Sequence, residues 1–138
     1  MLPDFQDIGL RVNFSGPWSA NHRLTSRIDI SRLVDMRKSY SRAIPLRWRA
    51  MSKVFSALGD EHRQRIMLLF EPGERLNVGQ IAEASTLARS TVSHHLKVLR
   101  EAGVLKSEKL GKEVWFWIDK QWLLSVFGNV IEYVRETS

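Results

Sequence analysis

Hydrophobic positions recur along this chain with a period that changes, and the changes mark its elements. Up to residue 28 no period lasts; Pro3, Gly9, Gly16 and Pro17 punctuate what reads as a loop or loosely ordered arm. Ile30, Leu33, Val34, Arg37 and Tyr40 trace a weak helical pattern that Ile44-Pro45 breaks. Pro45 suits the first turn of a new helix, in which Trp48, Met51, Phe55 and Leu58 recur at helical spacing until Gly59. Asp60 is the expected N-cap of the next helix, with Glu61 in its first turn. That helix turns Ile66, Leu69 and Phe70 inward and stops at Glu71-Pro72-Gly73. Asn77-Val-Gly-Gln80 has the form of a capping box opening a short helix, with Ile81 and Ala82 inward. A tight Ser85-Thr86-Leu87 connection leads to a helix over residues 89–102, closed by Gly103.

From there the period drops to two. Residues 104–109 and 113–118 read as strands joined at Leu110-Gly111. Val114, Phe116 and Ile118 share one face of the second strand, and Trp115 and Trp117 the other. A last helix from Asp119 to about Arg135 carries Trp122, Leu123, Val126, Phe127, Val130, Ile131 and Val134, an apolar set wide for one small domain. Short helix, tight turn, helix and hairpin together predict a mainly α fold with a β-hairpin wing, a winged helix-turn-helix. The expected division is a basic, loosely ordered or partly helical extension over residues 1–44 and a DNA-binding and dimerisation domain over 45–138.

The helix over residues 89–102 can be tested with 100° per residue. Val92, Leu96 and Leu99 fall within about 60° of one another and define the buried stripe, with His95 on its margin. Ser90, Ser93, His94, Lys97 and Glu101 lie on the opposite side. Small hydroxyls permit close approach to base edges, Arg and His can donate to guanine, and Lys can meet a phosphate. The expected DNA-reading set is therefore Arg89, Ser90, Ser93, His94 and Lys97, with Thr91 counted beside them and Lys106, Lys109 and Lys112 of the hairpin as phosphate contacts.

Charge sharpens this picture. The 138 residues hold 21 Lys+Arg against 15 Asp+Glu, a net +6 that directs attention to polyanions. Residues 1–50 carry +5 and residues 51–138 only +1, yet residues 89–112 alone hold six basic and two acidic side chains. One basic stripe on a nearly neutral domain points to a site. The arm's Arg37, Lys38, Arg42, Arg47 and Arg49 could reach DNA, cap a dimer or be solvated. There is no cysteine, which removes disulfides, thiolate metal sites and thiol nucleophiles. The longest uninterrupted apolar runs are five residues, against the ~18 of a membrane helix. Asp4 and Asp7 interrupt any signal-peptide layout. A cytoplasmic chain is expected, with no membrane partner.

Three segments carry a resemblance: Phe55-Ser-Ala-Leu-Gly-Asp-Glu-His-Arg-Gln-Arg-Ile66, Ser90-Thr-Val-Ser-His-His-Leu-Lys-Val-Leu-Arg-Glu-Ala-Gly-Val-Leu105 and Gly111-Lys-Glu-Val-Trp-Phe-Trp-Ile118. Residues 54–131 resemble the ArsR/SmtB family of bacterial winged helix-turn-helix repressors. The resemblance implies a homodimer whose first and last helices pair across a two-fold axis, so that two recognition helices meet an inverted repeat. Trp48, Met51, Phe55, Trp122, Val126, Phe127, Val130 and Val134 would form that interface. Ala88 stands where a capping Ser or Thr is usual, and Arg89 where Gln is common, so base preference is not inherited. Family members commonly sense metals through cysteines, or through Asp, His and Glu on the last helix. Cysteine is absent and no His follows His95, so neither metal nor other cofactor is expected.

Two features stay open. Trp115 and Trp117 could be covered by residues 1–44, pack on the domain's own helices, or receive a small-molecule or protein effector. The last option carries a rival function, a winged-helix protein-interaction module with no specific DNA site. Gly-x-Ser-x-Gly, His-Glu-x-x-His and a phosphate-binding Gly loop are all missing, so catalysis is not expected.

Overall fold

The computed structural model describes residues 29–138, and the chain divides between Arg42 and Ala43 into two units. The arm over residues 1–28 lies outside the described residues. In the first unit α1 (Ile30–Tyr40) is opened by Asp29, whose carboxylate accepts from the Ser31 N–H at 3.2 Å. In the second unit, α2 (Leu46–Leu58) starts after Pro45, whose φ of −54° suits a helix start. Its buried residues are Met51, Val54 and Ala57, while Phe55 is exposed. The core face is thus turned towards Val54 and Ala57 from the stripe expected of Trp48, Met51, Phe55 and Leu58.

Asp60 caps α3 (Glu61–Met67), accepting from the Arg63 N–H at 3.0 Å. This helix ends before the expected Phe70, because Leu69 and Phe70 donate to Ile66 and Met67 in tighter turns. Leu68 is left exposed while Leu69 and Phe70 reach the core edge. A strand of two residues, β1 (Leu76–Asn77), was not foreseen; it is too short to display alternation. Asn77 then opens α4 (Val78–Ala84) with both halves of the capping box formed, at 2.9 and 3.0 Å. α5 (Arg89–Glu101) begins at Ala88 with no side-chain cap.

α5 ends in a Schellman motif. Gly103, at φ +81°, donates to Arg100, and Val104 donates to Leu99 at 3.0 Å. The wing follows as β2 (Leu105–Leu110) and β3 (Glu113–Ile118), in a three-stranded antiparallel sheet ordered β1-β3-β2. Leu110 pairs with Glu113, so the turn is Gly111-Lys112, one residue later than expected. Gly111 has the positive φ, +63°, that such a two-residue turn requires.

Only Asp119 separates β3 from α6 (Lys120–Thr137). Its N–H donates to Val104, its carboxylate caps Trp122 N–H at 3.1 Å, and the same carboxylate pairs with Lys106 at 3.2 Å. The Trp122 indole donates to Ala102 at 3.1 Å and lies over Gly103.

Val54, Ile81, Val92, Leu96, Leu99 and Val104 are fully buried in one core. Two members of the expected dimer surface belong to that core instead. Met51 and Val126 are 1% and 2% exposed, enclosed by their own chain, and have no surface left for a second copy. Trp48, Trp122 and Val130 are half-buried against the core. Phe55, Phe127 and Val134 are exposed, together with Leu124, Ile131 and Tyr133. Among the described residues no helix is long and apolar enough to cross a membrane.

The α5–wing corner generates a contrast between two glycines. A Cβ at Gly103 would lie 2.5 Å from the Trp122 indole nitrogen, whereas one at Gly111 meets nothing within 4 Å. Gly103→Ala is expected to destabilise by about 2–4 kcal/mol and Gly111→Ala by about 1 kcal/mol. Urea denaturation midpoints of the two variants check this; equal losses would mean that Trp122 does not hold the corner.

Candidate nucleic-acid interface

Anchoring of α5 comes first. Val92, Leu96 and Leu99 are fully buried, so the helix has one rotational setting on the core. That setting leaves Arg89, Ser90, Thr91, Ser93, His94 and Lys97 exposed. Lys97 approaches Glu101 at 3.9 Å, a long pair between two well-exposed side chains that leaves its ammonium accessible.

A second clamp holds α5 from the side. Arg63 donates through Nε to the Ala57 carbonyl at 2.6 Å and through Nη2 to that of Ser56 at 3.2 Å. It thereby caps the C-terminal end of α2, while its Nη1 faces His95 Nδ1 at 3.4 Å. A guanidinium only donates, so Nδ1 is the acceptor and His95 is neutral there, with its proton on Nε2. The imidazole is 8% exposed. Burial holds its pKa below the usual histidine value, the Asp60 carboxylate opposes this, and Arg63, His94 and His62 reinforce it.

The wing meets the N-terminal end of α5 across a cleft of about 250 Å³ lined by Asn77, Gly79, Arg89, Ser93, Lys112 and Glu113, among others. The Arg89 guanidinium lies over Gly79, and Asn77 Nδ2 donates to Glu113 at 3.3 Å across the cleft's wall. As cleft residues Asn77 and Glu113 could not be found from the sequence, because only the β1–β3 pairing brings them together. Lys109 pairs with Val114 near the wing tip and is exposed. Lys106 departs from the expected phosphate-contacting group. It pairs with Trp117, on the opposite face of the hairpin from Lys109, and its ammonium is engaged by Asp119.

Trp115 and Trp117 are half-buried, not freely exposed. The Arg75 guanidinium sits 4.1 Å from the Trp117 ring centroid and pairs with Glu108 at 2.9 Å. Trp115 lies between Asn77 on β1 and Glu108 on β2. On this face Trp117 carries a cation, a contributor the sequence did not name beside helices, the arm or a partner. Cover by residues 1–28 lies outside the described residues. Among the described residues no cluster of three or more His, Asp or Glu side chains could hold a metal ion.

An exposed polar helix after a tight turn, flanked by a cationic hairpin, defines a winged helix-turn-helix DNA-binding domain. The comparisons agree. The family profile "Bacterial regulatory protein, arsR family" matches residues 60–107. Among curated relatives, the transcriptional repressor SdpR of Bacillus subtilis is 26% identical over 86 residues, 62% of this chain and 94% of that protein. A homologue of the cadmium resistance transcriptional regulatory protein CadC from Staphylococcus aureus is 30% identical over 88 residues, 64% of this chain and 73% of that protein. Among solved structures, an ArsR-like transcriptional regulator from Rhodococcus sp. RHA1 superposes with a TM-score of 0.59 at 22% identity, covering 64% of this chain and 83% of that one. A homodimeric winged helix-turn-helix DNA-binding domain from Mycobacterium bovis gives 0.52 at 22%, covering 69% and 91%. The chain belongs to the ArsR family: it is a DNA-binding transcriptional regulator, and the family is not one of enzymes.

The His95 clamp has a pH signature. Its imidazole is harder to protonate folded than unfolded, so on acidification the unfolded chain binds the proton first. The stability contributed is complete above the unfolded value of about 6.5 and is lost as pH falls through the lower folded value. His95→Gln, which keeps an acceptor but does not titrate, is expected to flatten the decline in stability from neutral to mildly acid pH. Urea midpoints measured along that range test this, and parallel declines in parent and variant would exclude His95 as the origin.

Proposed function

We infer that the chain is a transcriptional repressor that binds an inverted DNA repeat as a homodimer, without a metal ion, in the cytoplasm. The observation that carries this reading is the polar face of α5, accessible because Val92, Leu96 and Leu99 take up the other side. Arg89, Ser90, Ser93 and His94 are the base-edge readers in this reading, with Thr91 and Lys97 beside them. Lys109 and Lys112 of the wing neutralise phosphates, and Lys106 contributes field without direct contact. The DNA-binding and dimerisation domain runs from about residue 45 to the end.

Homodimerisation is supported by the apolar surface that α2 and α6 leave open. Phe55 and Phe127 stand 6.4 Å apart, and Leu124, Ile131 and Val134 continue the patch along α6. Such a surface on a small domain favours a partner, and a two-fold pairing would present two copies of α5 to successive major grooves. Repression is favoured by the function named for SdpR. Independence from metal is favoured by the absence of cysteine.

Selection from random duplex DNA is expected to return an inverted repeat with half-sites about one helical turn apart. With about six phosphate contacts, log K against log salt falls with a slope near −5, and Lys112→Ala reduces that slope by about one. Ser93→Ala and His94→Ala each cost about 1–3 kcal/mol on the selected site and little on unrelated DNA. A flat salt response with no enriched sequence would refute DNA reading and favour a protein-interaction module.

Phe127→Glu with Ile131→Glu tests the dimer separately. Sedimentation should shift to the monomer with helix content unchanged; a parent chain already monomeric at micromolar concentration would overturn the pairing.

A further inference from the structure

We propose that a second cavity, at the opposite end of β3 from the α5 cleft, binds a small aromatic carboxylate. The cavity lies between the turn after α3 and the junction of β3 with α6, and its volume is about 510 Å³, within the range of small-molecule sites. Phe70, Trp117 and Ile118, all half-buried, supply apolar wall, which selects a ring.

Its polar groups select the charge. Arg75 rests on Trp117 and uses Nη1 for Glu108; among the described residues its other donors make no hydrogen bond. Lys120 lines the same cavity and is exposed, with no ion pair among the described residues. Two acids also line it: Glu74 Oε2 is engaged locally, accepting from the Glu71 N–H at 2.8 Å, and Glu71 is exposed. The cavity thus offers a flat apolar wall beside a fixed planar guanidinium and an ammonium. A carboxylate on an aromatic ring fits that combination, because a guanidinium fork takes a carboxylate in two parallel hydrogen bonds.

The same geometry contains a competition. Glu108 is on β2 and holds Nη1, so a ligand carboxylate that takes the Nη1–Nη2 edge of Arg75 contends with the ion pair that ties the α3–β1 turn to the wing. Occupancy through that edge and release of Glu108 are linked, whatever DNA the α5 face reads.

The full chain is titrated with benzoate, naphthoate and indoleacetate, and with the neutral naphthylmethanol, while the Trp117 indole N–H is followed by NMR and assigned with Trp117→Phe. Saturable shifts with a carboxylate are expected, with naphthylmethanol at least about tenfold weaker than naphthoate. Arg75→Gln should weaken naphthoate by about tenfold and Lys120→Gln by a smaller factor, while Glu108→Gln, which removes the competitor, should tighten it. No saturation with any of the three carboxylates, equal binding of the neutral alcohol, or affinity unmoved by both Arg75→Gln and Lys120→Gln would overturn the site. Weaker binding in Glu108→Gln would overturn the competition. None of these readouts involves DNA, so their failure is distinct from failure of the repressor reading.

Discussion

Everything functional in this chain depends on the angle at which one helix is set against the core. Three fully buried aliphatic side chains on α5 fix that angle, since rotation by one residue would bring a serine or a lysine into a space that excludes water. The clamp from Arg63 meets α5 at His95, on the margin of the stripe. It satisfies two carbonyls at the end of α2 and then reaches α5, so the helix is held in register as well as rotation. Rigidity at the back is the condition for short side chains at the front to be useful. A serine hydroxyl reaches only a few ångströms and reads a base edge only from a fixed platform.

Much of this arrangement was legible in the sequence because it is local. The capping box at Asn77 and Gln80, the glycine that ends α5 and the switch from helical to strand period are each written within a few consecutive residues. The exposed face of α5 followed from helical periodicity alone. What escaped was non-local. β1 is two residues long and exists only because β3 runs beside it, and the Arg75–Trp117 stack joins residues 42 apart in the chain. Lys106 was grouped with Lys109 by composition, although alternation along one strand already sends the two to opposite faces; what was non-local is the Asp119 carboxylate that engages Lys106. Met51 and Val126 show the same gap from another side: apolar spacing marks a helix face but not whether the neighbour is the same chain or another copy.

The two tryptophans of β3 illustrate how a small domain covers aromatic area that its core cannot hold. Among the described residues there is one sheet, three strands wide, and no second sheet to lie over the outer face of β3. Cover comes from a side chain instead. Arg75 lays its guanidinium on one indole and is steadied by a carboxylate from the adjoining strand, which keeps the ring partly dry without any added element.

The junction at Asp119 has a mechanical consequence. A single residue joins the hairpin to the last helix, and its backbone N–H and its carboxylate are all engaged, to Val104, Trp122 and Lys106. Such a joint has no slack to absorb a twist. A shift of α6 would be geared directly into the tilt of the wing and of the corner behind it.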